Sequence, residues 1–228
     1  MFLLEGNIGA GKTTLLKKIK EEIPFLNVIF EPVNQWHNGI AGKSLLSDFY
    51  KDSKRWAYTL ETFAMTCRIR EYLKESINTS NKIMERSIFS GHYCFAKNDF
   101  INGYMTKLEW EIYKNWFSFL VSNKVPMPAG FIYLKTDPEV SLERIKKRAR
   151  TGEQKITLDY LKDLDKRHKE FLIDKTDISA ELKKVPILSL DCNFDFETNK
   201  NHLAKLSDDI KDFANQTTKN YTANVMVI

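Results

Sequence analysis

Gly6-Asn7-Ile8-Gly9-Ala10-Gly11-Lys12-Thr13 spells G-x-x-x-x-G-K-[ST], with Thr14 directly after it. The spacing has a mechanical reason. Glycines let successive backbone N–H groups turn toward one point, and a helix that starts there adds positive potential. A lysine at the seventh position then reaches β- and γ-phosphates, and the hydroxyl that follows ligates Mg²⁺. Lys12 and Thr13 hold those two places. The motif implies a nucleoside triphosphate but does not separate a kinase from a GTPase or a motor. No N-K-x-D guanine-reading motif occurs, which argues against a GTPase.

Two acids are candidates for chemistry beside such a loop. Glu31 closes an apolar run as Glu31-Pro32-Val33, and Glu85 closes another as Glu85-Arg86-Ser87. Phosphoryl transfer needs a proton acceptor for the attacking hydroxyl, metal ligands, and cations on the transferring group. Glu31 suits the first role, Glu85 the metal shell and Arg86 the clamp. The bland reading makes Glu31 a helix cap and Glu85–Arg86 a structural ion pair. Farther on, Arg144-Ile-Lys-Lys-Arg148-Ala-Arg150 carries five cations in seven residues and leads into Thr151-Gly152-Glu153. A solvated helix face is the ordinary fate of such a run. Arginine forks, however, bond two phosphate oxygens at once.

These groups converge only if a fold brings them together. Short apolar runs bounded by turn residues alternate with helical patterns. Strands are expected at 1–5, 27–31, 82–85, 131–134 and 185–190. Helices are expected at 13–22, 44–51, 55–74, 106–122, 157–172 and 199–214. Thr106-x-x-Glu109 is a capping box, and Asp137-Pro138 offers an N-cap followed by proline at the first helical position. This alternation implies a parallel five-stranded sheet with right-handed crossovers and helices on both faces, in which ligands bind beyond the carboxyl ends of strands. One α/β domain over 1–214 is expected. The tail, 215–228, has no evident packing partner and is expected to fray.

Composition narrows the function classes. The 228 residues carry 35 basic and 30 acidic side chains, a net charge of +5. That excess suits an anionic ligand but not a protein that coats nucleic acid. With 12% aromatic residues the chain is not disordered. Its three cysteines, Cys67, Cys94 and Cys192, are far apart with no C-x-x-C, so neither a disulfide framework nor a zinc site is expected. No apolar run is long enough to span a bilayer. The phosphate-loop motif begins within six residues of Met1, leaving no room for a leader, so a cytoplasmic location is expected.

The combination GNIGAGKTT, EPVNQW, RWAYTLETFAMTCRIR and ERSIFSGHYCFAKN resembles the deoxyribonucleoside kinases, the deoxycytidine and deoxyguanosine branch above all. The match runs to about Phe213. The resemblance implies a P-loop kinase fold that moves the γ-phosphate of ATP or another nucleoside triphosphate, with Mg²⁺, to the 5′-hydroxyl of a deoxynucleoside for nucleotide salvage. It implies a homodimer formed through a helix pair. Glu31 would be the 5′-hydroxyl base and Arg86 would hold the reacting oxygens. The segment at about 144–156 would be a lid, placing Arg144, Arg148 and Arg150 near the phosphates and Glu153 on the sugar 3′-hydroxyl. Trp36, Leu46, Tyr50 and Phe95 would pack base and sugar, with Tyr50 beside Glu153. Asp195 and Phe196 would lie in the loop that holds the donor base, although an ordinary surface turn reads almost as well.

Two positions depart from that pattern. Glu61 stands where the family has a base-reading glutamine. An amide offers one donor and one acceptor, whereas a carboxylate only accepts. Ionised Glu61 would accept from guanine's adjacent N1–H and N2–H, with Arg68 facing O6 and N7, a tilt toward deoxyguanosine. Gly91 replaces an aspartate and implies a roomier site tolerant of thymidine. On the helix at 106–122, Trp110, Tyr113, Trp116, Phe117 and Leu120 fit either internal core or a dimer seam. Two other functions fit the motif: a nucleoside monophosphate kinase of the thymidylate type, which would need extra cations near the second strand, and a nucleotide-binding module without catalysis.

Overall fold

The computed structural model describes residues 1–37, 44–77, 81–150, 152–195 and 198–225, with the side chains of His37, Asn123 and 218–225 excepted. Five strands form one parallel sheet in the order β2-β3-β1-β4-β5. They are β1 (Phe2–Gly6), β2 (Asn27–Ile29), β3 (Lys82–Glu85), β4 (Gly130–Lys135) and β5 (Ile187–Asp191). Residues of β1 alternate between two cores, as a sheet covered on both faces requires. Leu3 faces the core that includes Met84, Phe131 and Tyr133. Phe2 and Leu4 face the core that includes Ile83, Ile132 and Leu134. The expected doubly covered parallel sheet is the observed one.

The helices are α1 (Lys12–Glu22), α2 (Asn34–His37), α3 (Leu45–Lys51), α4 (Ser53–Ser76), α5 (Ile88–Ser90), α6 (Lys97–Ile101), α7 (Lys107–Lys124), α8 (Pro138–Arg148), α9 (Leu158–Leu172), α10 (Ala180–Lys184) and α11 (Lys200–Val225). A π-helical stretch, Gly91–Ala96, joins α5 to α6. The first core lies under α4, α7 and α9, through residues such as Tyr72, Phe117 and Phe171. The second lies under α1 and α11, through Leu15, Ile19, Leu206 and Ile210.

Local chemistry starts and stops these helices where the sequence indicates. Thr106 Oγ1 accepts from the Glu109 N–H at 3.2 Å while Glu109 Oε2 accepts from the Thr106 N–H at 2.8 Å. Pro138 occupies the first helical position after an extended Asp137, although the Asp137 side chain makes no capping bond. Three expectations need correction. β2 ends at Ile29 rather than at Glu31. Pro32 has no N–H to donate to a ladder and disfavours a regular continuation, so the acid sits in the turn beyond the strand. The basic run belongs to the last turns of α8 instead of following it, where the cations Lys146, Lys147 and Arg148 complement the helix C-terminus. Finally, α11 does not stop at residue 214 but continues to Val225.

Candidate active site

The phosphate loop joins β1 to α1. Gly9 has φ of 80°, and a Cβ there would lie 2.4 Å from the Ser141 carbonyl oxygen, so only glycine lets this turn pass beneath α8. Asn7 fixes the loop from within: its Nδ2 donates to the Leu161 carbonyl at 2.8 Å and its Oδ1 accepts from the Ile8 N–H at 2.8 Å. Lys12 Nζ donates to the carbonyls of Asn7 and Gly6 at 2.7 and 3.1 Å. Burial lowers the Lys12 pKa to about 7, Arg86 pushing the same way and Glu85, Glu31 and Glu5 pulling against it. An ammonium held so reluctantly gains from an added anion.

Beyond the loop, Thr13 Oγ1 donates to Glu85 Oε1 at 2.6 Å, and the Glu31 N–H donates to Glu85 Oε2 at 3.4 Å. Glu85 thus links the end of α1 nearest the loop to the turn that carries Glu31. The Glu31 carboxylate is gripped on both sides. Arg68, from α4, donates through Nε and Nη2 to Oε1 at 3.0 and 2.7 Å. Arg86 donates through Nε to Oε2 at 3.3 Å. Burial pushes the Glu31 pKa up, but Arg68, Arg86 and Lys12 together outweigh it and hold the acid below the ordinary carboxylate range. Arg86 has φ of 62°, a left-handed conformation uncommon for arginine, and its N–H is pinned to the Leu4 carbonyl at 2.8 Å. Strain of this kind survives where the surroundings impose it and gathers at functional sites.

A single cavity of about 660 Å³ spans these groups. Ile8, Gly9, Gly11, Lys12, Thr13 and Thr14 line one end of it, with Glu31, Glu85 and Arg86 in the middle. Trp36, Leu46, Tyr50, Glu61, Arg68 and Phe95 line the other end. Arg144, Arg148, Arg150, Glu153 and Asp195 complete the rim. Gly6, Asn7 and Ala10 shape the loop from behind, the Ala10 carbonyl accepting from Arg144 Nη1 at 3.4 Å. Phe196 and Thr151 lie outside the described residues.

The arginines of the basic run reach different partners. Arg144 Nη2 donates to the Phe194 carbonyl at 2.7 Å. Arg148 forms a two-pronged pair with Glu153, both bonds 2.8 Å, and Arg150 adds a third at 3.4 Å. Glu153 is itself almost fully buried beside Tyr50, whose hydroxyl feels its charge.

Arg68 spends two of its donors on Glu31, and Nη1 is left without a hydrogen-bond partner among the described residues. Gly91, expected to give a roomier site, does not leave room for a larger base. A Cβ at Gly91 would stand 2.8 Å from Arg68 Nη1, so the glycine makes space for the arginine. Arg68 and Arg86, distant from the second strand in sequence, meet at Glu31 through tertiary packing.

Other cavity-lining residues escaped the sequence reading. Leu60 and Ala64 share the lining face of α4 with Arg68, a four-residue spacing that helical periodicity could have shown. Val33, Phe49, Val140, Glu143, Lys147, Tyr160 and Asn193 carry no comparable signal. The three cysteines are free and buried, as expected. On α7, Tyr113 and Phe117 are core, as the internal-core reading expects, whereas Leu108, Ile112, Trp116 and Phe119 are exposed. No helix among the described residues is long and apolar enough to cross a membrane.

Comparison with known proteins agrees with this geometry. A family model described as deoxynucleoside kinase matches residues 2–215. Deoxycytidine kinase 2 of Gallus gallus is 36% identical over 235 residues, covering 92% of this chain and 88% of the relative. A probable deoxycytidine kinase of fowlpox virus is 35% identical, with 93% and 87% covered. The mitochondrial deoxyguanosine kinase of Xenopus laevis is 33% identical, with 92% and 88% covered. A phosphate-loop motif, a buried acid gripped beside it and a match across nearly the whole sequence lead to one assignment: the chain belongs to the deoxynucleoside kinase family.

Proposed function

We propose that the chain moves the γ-phosphoryl group of ATP to the 5′-hydroxyl of a 2′-deoxynucleoside, yielding a deoxynucleoside monophosphate. The observation that carries this reading is the placement of Glu31, ionised and gripped by Arg68 and Arg86, between the phosphate loop and the apolar end of one cavity. Its Oε1 is saturated by two short bonds from Arg68, whereas Oε2 receives only the longer bond from Arg86. Oε2 is therefore the atom free to accept a proton. In the proposed step the 5′-oxygen bonds to the γ-phosphorus, its proton passes to Glu31 Oε2, and the bond from phosphorus to the β,γ-bridging oxygen breaks to release ADP. Lys12 and the arginines at 144, 148 and 150 spread the charge of the transferring group. Tyr50 and Glu153 orient the sugar by its 3′-hydroxyl, and Trp36, Leu46 and Phe95 enclose the base.

The residues at Thr13 and Glu85 fit Mg²⁺. A threonine hydroxyl and a carboxylate oxygen stand 2.6 Å apart at the loop. A Mg²⁺ held by this pair would complete its shell with water and the oxygens of a bound phosphate. When bound there, the ion neutralises charge on the β- and γ-oxygens. The protein's own contribution is to hold both oxygens at the mouth of the loop.

We further infer a homodimer whose seam is the exposed face of α7, Leu108, Ile112, Trp116 and Phe119, four large apolar side chains at helical spacing. Light scattering should give twice the 26.6 kDa chain mass, and Trp116→Glu should halve it. A cytoplasmic place of action is the simplest setting for three unpaired cysteines.

The activity is tested by supplying ATP, Mg²⁺ and each of four deoxynucleosides, with thymidine monophosphate as a fifth acceptor. Formation of a deoxynucleoside monophosphate is expected. Turnover of the monophosphate alone would replace this reading with a nucleoside monophosphate kinase, and ATP binding with no transfer would leave only a nucleotide-binding module.

A further inference from the structure

The phosphoryl-transfer step leaves one fully buried acid without a part, Glu5. It lies on β1 directly before the phosphate loop, on the strand face that Leu3 shares, so its side chain enters the first core and not the cavity. Both its oxygens lack hydrogen-bond partners among the described residues. A carboxylate buried without compensation is costly, so the charges around it decide what it does.

The sheet register names those neighbours. Glu5 stands opposite Tyr133 on β4, and on β3 the pairing of Leu4 with Glu85 puts Arg86 next along. The Arg86 N–H bonds to the Leu4 carbonyl at 2.8 Å, which fixes that backbone one residue from Glu5. The hydroxyls of Ser87 and Ser90 lie on the same side without closing a bond to the acid. His168 of α9 stacks on Tyr133, but burial drops its pKa to about 3, so it supplies no countercharge near neutrality. Burial pushes the Glu5 pKa up, and Arg86, ahead of Lys12, is the stronger of the cations that pull it back. Arg86 in turn is only partly engaged. Its Nη1 is buried without a hydrogen-bond partner among the described residues, and its Nε reaches Glu31 at 3.3 Å.

We propose that Glu5 is a positioning residue: from the core side its carboxylate holds the Arg86 guanidinium back from Glu31, which keeps Glu31 Oε2 open to the proton of the 5′-hydroxyl. Arg86 then stands between two carboxylates, one facing the cavity and one facing the core. The contrast with Arg68 supports this. Arg68 closes on Glu31 with bonds of 2.7 and 3.0 Å, whereas Arg86 stops at 3.3 Å. An arginine with no second attraction behind it would draw in to the short, two-pronged pair that guanidinium and carboxylate prefer. The inference rests on the deoxynucleoside kinase reading and adds to it a residue outside the cavity lining.

Two variants test it. Glu5→Gln keeps the shape and removes the charge, whereas Glu5→Asp keeps the charge and shortens the reach. With ATP, Mg²⁺ and a deoxynucleoside that the unaltered protein phosphorylates, Glu5→Gln should lower kcat by roughly 10- to 100-fold while KM for ATP and for the nucleoside is unchanged. Glu5→Asp should recover part of that loss. A packing role predicts the opposite order, with the amide near normal and the shortened acid the poorer enzyme. A crystal structure of Glu5→Gln gives a second readout: Arg86 Nε should lie closer to Glu31 Oε2 than 3.3 Å. Normal kcat in Glu5→Gln, lower kcat in Glu5→Asp than in Glu5→Gln, or an unmoved Arg86 overturns the inference. Failure of Glu5→Gln to fold, read by a thermal melt, makes the acid a structural residue and overturns it too. In each case the kinase reading stands, because it depends on transfer by the unaltered protein; absence of transfer to any deoxynucleoside there overturns both.

Discussion

The two ends of the cavity are built on different principles, and a pair of glycines shows it. At the phosphate end Gly9 lies under backbone: a methyl group there would meet the Ser141 carbonyl oxygen and carbon at 2.4 and 3.1 Å. At the nucleoside end Gly91 lies under a side-chain tip, with Arg68 Nη1 at 2.8 Å and the guanidinium carbon at 3.9 Å. At the first end a contiguous loop packs against the main chain of α8 and cannot yield. The other is assembled from charged side chains on separate elements and can shift by tenths of an ångström. A triphosphate is the same in every cycle and suits a rigid cradle, whereas selectivity for a base resides in side chains that can be exchanged without rebuilding the fold.

Breaking the groups that serve both ends should give the largest effects. Arg148→Ala removes a cation proposed to meet the transferring phosphoryl, and a loss of roughly 10³-fold or more in kcat is expected. Stability should scarcely change, because Arg148 is 35% exposed and Arg150 remains on Glu153. A thermal melt beside steady-state kinetics checks both parts; normal turnover would end the lid assignment. Glu31→Gln should come next, at about 10²- to 10³-fold in kcat with ATP affinity retained. Because Arg68 and Arg86 hold the acid below the ordinary carboxylate range, the base form persists well into mildly acidic solution. Any loss of activity between pH 8 and 6 must then come from a group other than Glu31. A kcat profile with a limb in that window that vanishes in Glu31→Gln would contradict the assignment.

The contrast also explains what could be read from the sequence. The phosphate end is contiguous, so residues 6–14 reveal it directly, and the strands that flank it show as short apolar runs. The partners of Glu31 are not legible in that way. Arg68 lies 37 residues away and Arg86 lies 55 away, and tertiary packing, including α4 against α5 and the π-helical stretch after β3, brings them together. The π-helical stretch at 91–96 has no periodic signature in the sequence, and the closeness of Gly91 to Arg68 is a product of the fold. At the other end of the chain the tail shows no packing partner in its sequence, whereas α11, anchored by Leu203, Leu206, Ile210 and Ala214, carries the helix on to Val225. Glu61 was recognised as a departure, but its burial was not, because burial is a property of the fold.

The two glycines offer the finest cut. Gly9→Ala forces a Cβ into main chain at positive φ, and overpacking plus a left-handed alanine costs about 3 kcal/mol. A fall in Tm of roughly 6–12 °C follows for a domain of this size, together with loss of ATP binding. Gly91→Ala presses instead on the end of a flexible side chain, so the melt should hold within a few degrees. What should change is the reach of Arg68 to Glu31, and through it the aim of the proton acceptor. A displacement of a few tenths of an ångström there should lower kcat by about tenfold while the KM for ATP stays put. If Gly91→Ala instead lowered Tm and ATP affinity together, as Gly9→Ala should, the nucleoside end would be as unyielding as the phosphate end, and the division of labour between main chain and side chain would fail.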